Sequence, residues 1–84
     1  MIKVKVFGTT PPCARCKELT KRATKVAAKY PGEVEVTKFD ALSAEGDRYG
    51  ILMTPTLVIN DKVVSFGKVP SEDDIEKMIR KGMG

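Results

Sequence analysis

The hydrophobic period of the chain changes early in the sequence. In residues 2–7 apolar side chains alternate with lysines, which predicts a β-strand. From Cys13 onward, apolar side chains recur every three or four residues, which predicts an amphipathic helix of about 17 residues that ends at Pro31. The apolar face of this helix consists of Cys16, Leu19, Ala23, Val26, Ala27 and Tyr30. A strand followed at once by an amphipathic helix indicates an α/β fold, in which helices pack against a sheet.

Five further segments complete a predicted order of β-α-β-α-β-β-α. They are a strand at residues 34–39, a short helix at 43–49, strands at 56–59 and 62–66, and a last helix capped by Ser71. Asn60 and Asp61 tolerate the left-handed backbone of a tight hairpin, so the third and fourth strands are expected to pair antiparallel. The first half of the chain can form a parallel crossover unit. The predicted fold is a mixed four-stranded sheet with helices on both faces.

Length and composition limit the possible functions. The chain has 84 residues, of which 42% are hydrophobic and 31% are charged, so we expect a single domain over residues 1–84. A domain of this size is too small to enclose a large cofactor, and no bound cofactor is expected. The longest apolar run is far shorter than the roughly 20 residues that cross a bilayer, and the N-terminus has no signal-peptide core. We therefore expect a soluble, cytoplasmic monomer with no membrane partner.

Positive charge is concentrated in residues 15–29, which hold six basic side chains against the single acid Glu18, whereas the whole chain has a net charge of +4. Every fourth residue of this segment is a lysine, at Lys17, Lys21, Lys25 and Lys29. On a helix these lysines form one stripe, which is either a solvated face or a surface that attracts acidic partners or nucleic acid. Because aromatic side chains do not interleave with the lysines, nucleic-acid binding is not expected.

The cysteines of the chain are Cys13 and Cys16, a CxxC pair at the point where the first strand gives way to the first helix. A disulfide that closes so short a loop stabilises a fold by only about 2 kcal/mol, so the pair is a poor structural staple. A helix N-terminus stabilises a thiolate, and the charges of Arg15 and Lys17 are expected to tune the pKa of Cys13 in the same direction. The helix period places Cys16 on the apolar face and Cys13 on the polar face. Thiol–disulfide exchange uses one exposed and one shielded thiol, so we interpret Cys13 as the nucleophile and Cys16 as the resolving thiol.

Other chemistries can use the same cysteines. Structural zinc needs four ligands, and two cysteines without histidine supply half of the usual set, unless two chains share the ion or carboxylates complete it. A copper(I) carrier can use CxxC alone, but carriers of ferredoxin-like fold usually close with a strand rather than a capped helix. The cysteines can also be unreactive core residues, or unused thiols of an interaction module whose basic helix docks an acidic partner. No metal site is predicted.

Landmarks beyond the cysteines resemble the thioredoxin and glutaredoxin superfamily, most closely its small single-domain members, over nearly the whole chain. These landmarks are Tyr49-Gly50-Ile51, the run Thr54-Pro55-Thr56-Leu57 before the third strand, and Gly67 after the fourth. The resemblance implies a cis peptide bond before Pro55. It also implies that Thr54 and Pro55 form a substrate platform beside the CxxC pair.

The resemblance further implies a thiol–disulfide oxidoreductase that reduces or exchanges protein disulfides and is itself reduced again by a separate reductase. Pro12 stands where thioredoxins usually have tryptophan, and alanine and arginine stand between the cysteines where they usually have Gly-Pro. Phe7 takes the place of their buried aspartate, so Cys16 must lose its proton by another route. The residues by which glutaredoxins hold glutathione have no clear match at residues 65–68. Protein disulfides are therefore the expected substrates.

Overall fold

The computed structural model describes residues 2–9, 14–51 and 53–83. Its elements are β1 (Ile2–Gly8), α1 (Ala14–Ala27), β2 (Val34–Asp40), α2 (Ala44–Tyr49), β3 (Thr56–Ile59), β4 (Lys62–Phe66) and α3 (Glu72–Met83). The predicted order of elements and the α/β class with a mixed four-stranded sheet are confirmed. No helix within these ranges is long and apolar enough to cross a membrane.

The strands lie in the order β2-β1-β3-β4. β1 pairs parallel with β2 and antiparallel with β3, which in turn pairs antiparallel with β4. The β3–β4 hairpin turns at Asn60 and Asp61, whose φ angles of 51° and 65° are the left-handed positions that the sequence predicts. The register shifts between Leu57 and Val58, so that Val64 has no partner in the ladder and β4 contains a β-bulge.

The hydrophobic core lies between one face of the sheet and helices α1 and α3. Alternate residues of β1 and β3 point into it, because successive side chains of a strand point to opposite faces. The buried members of the core are Ile2, Val4, Val6, Leu19, Ala23, Val26, Leu57, Ile59, Ile75 and Ile79. Burying each large aliphatic side chain stabilises the fold by about 1.5–3 kcal/mol relative to leaving it exposed. This packing fixes how the first turn of α1 meets the end of β1.

Helix α2 lies on the opposite face of the sheet. Phe7 points to this side, where its ring stacks on that of Phe39 with centroids 5.4 Å apart and meets the Tyr49 ring edge-on at 5.7 Å. Ser43 caps the start of α2, and Gly50 follows its end in the left-handed conformation. The predicted short helix and the placement of helices on both faces are confirmed.

Helix α1 ends earlier than predicted. The apolar period continues to Tyr30, but the helix ends at Ala27, because the next backbone bonds span three residues rather than four. The N–H of Lys29 donates to the carbonyl of Val26, and that of Tyr30 to the carbonyl of Ala27, which forms a tight turn. Tyr30 still packs against the core, so its place in the apolar pattern reflects tertiary packing and does not mean that the helix extends to it. The predicted start at Cys13 lies outside the described residues.

Candidate active site

Cys16 lies in the first turn of α1 and is fully buried. Its side chain packs against Gly8 at the end of β1, where an added Cβ would lie 3.0 Å from both Cβ and Sγ of the cysteine. Such a distance is tighter than most real Cβ contacts, so a side chain at residue 8 would require Cys16 to move by a few tenths of an ångström. The burial agrees with the prediction that Cys16 lies on the apolar face of the helix.

Cys13 lies outside the described residues, so its predicted outer position and its role as nucleophile stay predictions. The same holds for the role of Cys16 as the resolving thiol. Phe7, which stands where thioredoxins have a buried aspartate, is itself fully buried in the aromatic stack on the α2 side. This position therefore supplies no carboxylate to either cysteine.

The peptide bond between Thr54 and Pro55 is cis, as the resemblance implies. Pro55 is fully buried at the start of β3, and Thr54 is half-buried. The backbone N–H of Gly67 donates to the carbonyl of Pro55 at 2.8 Å, which joins the cis-proline loop to the turn after β4. The role of Thr54 and Pro55 as a substrate platform stays a prediction.

Arg15 connects the CxxC helix to this turn. Its Nη2 donates a hydrogen bond to the carbonyl of Gly67, a residue that is 52 positions away in the sequence. Gly67 therefore bonds to Arg15 through its carbonyl and to Pro55 through its N–H, so the start of α1 and the cis-proline loop lie on either side of it. Lys17, the other predicted pKa-tuning residue, is exposed and is not part of this connection.

An exposed apolar surface lies beside the cis-proline loop, and the sequence analysis missed it. Met53, Val63 and Phe66 are 53%, 42% and 60% exposed, and we call these three residues the Met53 patch. They line a pocket of about 300 Å³ together with Tyr49, Gly50, Ile51 and Thr56. Met53 also covers the turn, because a Cβ on Gly67 would lie 2.8 Å from its Cε. The available signal in the sequence was a phenylalanine, Phe66, directly before the landmark glycine.

The arrangement described above is that of a known family. A family model described as a thioredoxin domain matches residues 2–80. The chain belongs to the thioredoxin family. The resemblance inferred from the CxxC pair, the Thr-Pro run and the glycine after β4 is confirmed.

Individual thioredoxins match over nearly their full length. A probable thioredoxin of Archaeoglobus fulgidus is 37% identical over 87 residues, which cover 100% of this chain and 92% of that protein. A thioredoxin of Methanocaldococcus jannaschii is 30% identical over 82 residues, which cover 95% of this chain and 94% of that one. The solved structure of chloroplastic thioredoxin z has the same fold, with a TM-score of 0.80, 22% identity, and coverage of 100% of this chain and 80% of that chain. The protein is a thioredoxin-like redox protein, and its fold is not that of the ferredoxin-like copper carriers.

A polar cluster fastens α2 to the sheet of this thioredoxin-family chain. Lys5 Nζ lies 3.0 Å from Glu45 Oε2 and donates to Tyr49 Oη at 2.9 Å, while Tyr49 in turn donates to Asp61. The hydrogen bonds with Tyr49 and Glu45 raise the pKa of Lys5, and the bond from Tyr49 lowers the pKa of Asp61. These shifts keep the lysine and the aspartate charged, so the cluster acts as a structural ion network on the α2 face.

Metal ligation finds no support in the described part of the chain. Residues 2–9, 14–51 and 53–83 contain no group of three or more histidine, cysteine, aspartate or glutamate side chains placed to hold an ion. Glu18 of α1 is paired with Arg22, whose Nε lies 2.8 Å from its Oε2.

Proposed function

We propose that this chain is a cytoplasmic thiol–disulfide oxidoreductase that reduces or exchanges protein disulfides through Cys13 and Cys16. The observation that carries the proposal is the burial of Cys16 against Gly8 in the first turn of α1. A buried sulfur is unsuited to attack a client protein, but it is well suited to attack a neighbouring sulfur that has already done so. The thioredoxins that match the chain support the same chemistry.

In the first step, the Cys13 thiolate attacks one sulfur of the client disulfide. A mixed disulfide forms, the client S–S bond breaks, and the released client thiolate takes a proton from water. The described part of α1 starts at Ala14, the residue after Cys13, and in this proposal the amides of the helix N-terminus favour the thiolate over the thiol. Arg15 and Lys17 add positive charge in the same part of the chain.

In the second step, Cys16 resolves the mixed disulfide. Its thiol passes a proton to water, and its sulfur attacks that of Cys13, so that an intramolecular S–S bond forms and the second client sulfur leaves and is protonated. The client gains two electrons and the CxxC pair loses two. A separate reductase supplies two electrons and two protons to restore both thiols, and no bound cofactor takes part.

The client chain lies across Thr54 and Pro55 in this proposal. Two observations support that location. Gly67 joins the cis-proline loop to Arg15, so this loop and the first turn of α1 are connected through one residue. The Met53 patch beside the loop offers apolar area to a client side chain, and exposed apolar patches mark interaction sites.

The test is the reduction of insulin disulfides with dithiothreitol as electron source. We expect Cys13→Ser and Cys16→Ser each to lose activity by about 100-fold or more, because the two sulfurs act as a unit. A covalent adduct with the client should accumulate in Cys16→Ser and be absent in Cys13→Ser. Lys25→Ala, a change on the exposed side of the same helix, serves as the matched control and should keep full activity.

Two results would contradict the proposal. Full activity of Cys13→Ser in a client-dependent assay would assign the chain to the interaction modules that leave their thiols unused. Retention of one equivalent of copper(I) against a competing chelator, without any insulin reduction, would assign it to the copper carriers.

A further inference from the structure

Arg15 lies beside the surface at which, in the proposed function, the client protein binds. It is exposed in the first turn of α1, and its Nη2 donates to the carbonyl of Gly67. The N–H of Gly67 donates to the carbonyl of Pro55. The guanidinium therefore lies over the turn that separates the CxxC helix from the cis-proline loop.

The positive charge of Arg15 is not neutralised within the described residues. A backbone carbonyl accepts one N–H and carries no net charge, whereas a guanidinium has five N–H groups in a planar fork that suits a carboxylate. The nearest acid along the helix, Glu18, pairs with Arg22 at 2.8 Å. Arg22 is further held by the carbonyls of Val69 and Pro70, so the two arginines share the segment after β4 but only one has an ionic partner.

The surroundings of Arg15 strengthen its preference for an anion. The segment of residues 15–29 has one acid among six basic side chains. Met53 packs against the same glycine, since a Cβ built on Gly67 would lie 2.8 Å from its Cε.

We infer that Arg15 selects client proteins in which a carboxylate side chain stands beside the reacting disulfide cysteine. The inference rests on the proposed function and specifies its substrate class. The client backbone crosses Thr54 and Pro55, and an aspartate or glutamate next to its cysteine reaches the guanidinium over Gly67. Arg15 is thus a specificity-determining residue that contacts the substrate, and the carboxylate belongs to a peptide chain rather than to glutathione.

The experiment uses two disulfide peptides of equal length that differ only in having Asp or Asn next to the reacting cysteine. The kcat/KM of each peptide is measured at low ionic strength and divided by its rate of reduction by dithiothreitol alone, which removes intrinsic differences between the disulfides. We expect the Asp peptide to be preferred by about threefold, the size of an exposed ion pair. The preference should disappear at high salt, because screening weakens such pairs.

Three variants assign the preference to its source. Arg15→Ala should bring the Asp-to-Asn ratio to about one, and Arg15→Lys should keep part of the preference, because an ammonium keeps the charge but loses the fork. Lys25→Ala removes the same charge farther along the helix and should keep the full ratio. Any effect of Arg15 on the reactivity of Cys13 acts equally on both peptides and cancels in the ratio.

The outcomes separate this inference from the proposed function. Equal normalised rates for the two peptides, or a ratio that survives Arg15→Ala, would overturn the selection by Arg15 and leave disulfide reduction intact. Absence of reduction of either peptide would overturn both. Oxidised glutathione is the third substrate, and Arg15-dependent reduction of it that exceeds reduction of the Asp peptide would overturn the assignment to protein clients.

Discussion

At Gly8, a hydrogen in place of a side chain allows the sulfur of Cys16 to pack against the end of β1. The two residues come from adjoining elements and are buried together, so neither can change volume without moving the other. A second contact at the same scale is the bond from Arg15 to Gly67, which joins the helix to the cis-proline turn. The geometry of the site thus depends on two glycines. Gly8 leaves room for the Cys16 side chain, and Gly67 accepts the hydrogen bond from Arg15.

Gly8→Ala should destabilise the protein by about 1–3 kcal/mol, because the new methyl group overlaps the side chain of Cys16. Denaturant unfolding of the reduced protein measures this cost. Combined with Cys16→Ala, which removes Sγ but keeps Cβ, the same substitution should cost less, because one of the two close contacts is gone. Equal costs in the two backgrounds would show that the sulfur contributes nothing to the cost and that the contact with Cβ of residue 16 accounts for it.

Arg15→Ala should make the CxxC couple more reducing. The positive charge of Arg15 stabilises a Cys13 thiolate and hence the reduced form, so its removal lowers the midpoint potential, and 30 mV corresponds to about 1.4 kcal/mol for a two-electron couple. For an exposed charge we expect a shift of about 10–20 mV. Redox titration against glutathione measures it, with Lys25→Ala as the control. An unchanged potential would mean that Arg15 acts on the client only.

Among the elements, α1 and α3 are joined at the end of α1 by side chains beyond the last helical residue. Tyr30 Oη donates to Glu76 at 2.7 Å, and Lys29 Nζ lies 3.1 Å from the other carboxylate oxygen of Glu76. The hydrogen bond from Tyr30, followed by that from Lys29, lowers the pKa of Glu76, while the same contacts raise the pKa values of Tyr30 and Lys29. The turn that ends α1 early is what brings these two side chains over α3.

The low pKa of Glu76 makes the stability of the fold sensitive to acid. The Glu76 carboxylate contributes fully to the free energy of unfolding when the pH is above 4.5, the ordinary pKa of a glutamate. This contribution is lost as the pH falls through the lower pKa that Glu76 has in the folded state. Glu76→Gln should therefore show a shallower loss of unfolding free energy as the pH falls below about 4.5. Urea unfolding at several pH values measures the slope. Glu35→Gln, at an exposed position of β2, should keep the wild-type slope.

At the scale of the whole molecule, the sequence predicts those features that depend on local periods. Alternation in residues 2–7, the Asn60-Asp61 turn and the Ser71 cap each specify an element or its boundary, and together they lead to the observed order. The end of α1 was predicted too late, because Tyr30 is apolar for reasons of tertiary packing. The apolar pattern gives the correct length of a helix only when the residues after the helix do not also pack against the core.

The client surface could not be predicted, because it is assembled from distant segments. The Met53 patch combines the loop before β3 with two side chains of β4, and its formation depends on the register shift between Leu57 and Val58. The bond from Arg15 to Gly67 spans 52 positions and depends on how α1 packs on the sheet. The sequence contains these residues, but only the folded structure shows that they lie close together.

The bulge in β4 also has a consequence for how the molecule behaves at high concentration. β4 is the outer strand of the sheet, and Val63 and Val64 are partly exposed on it. A straight outer strand with valines would invite a second molecule to extend the sheet and begin a fibril. The irregular ladder at Val64, followed by a turn at Gly67, offers no continuous row of backbone groups to such a neighbour. We therefore expect the irregularity in β4 to disfavour pairing of this edge with a second molecule.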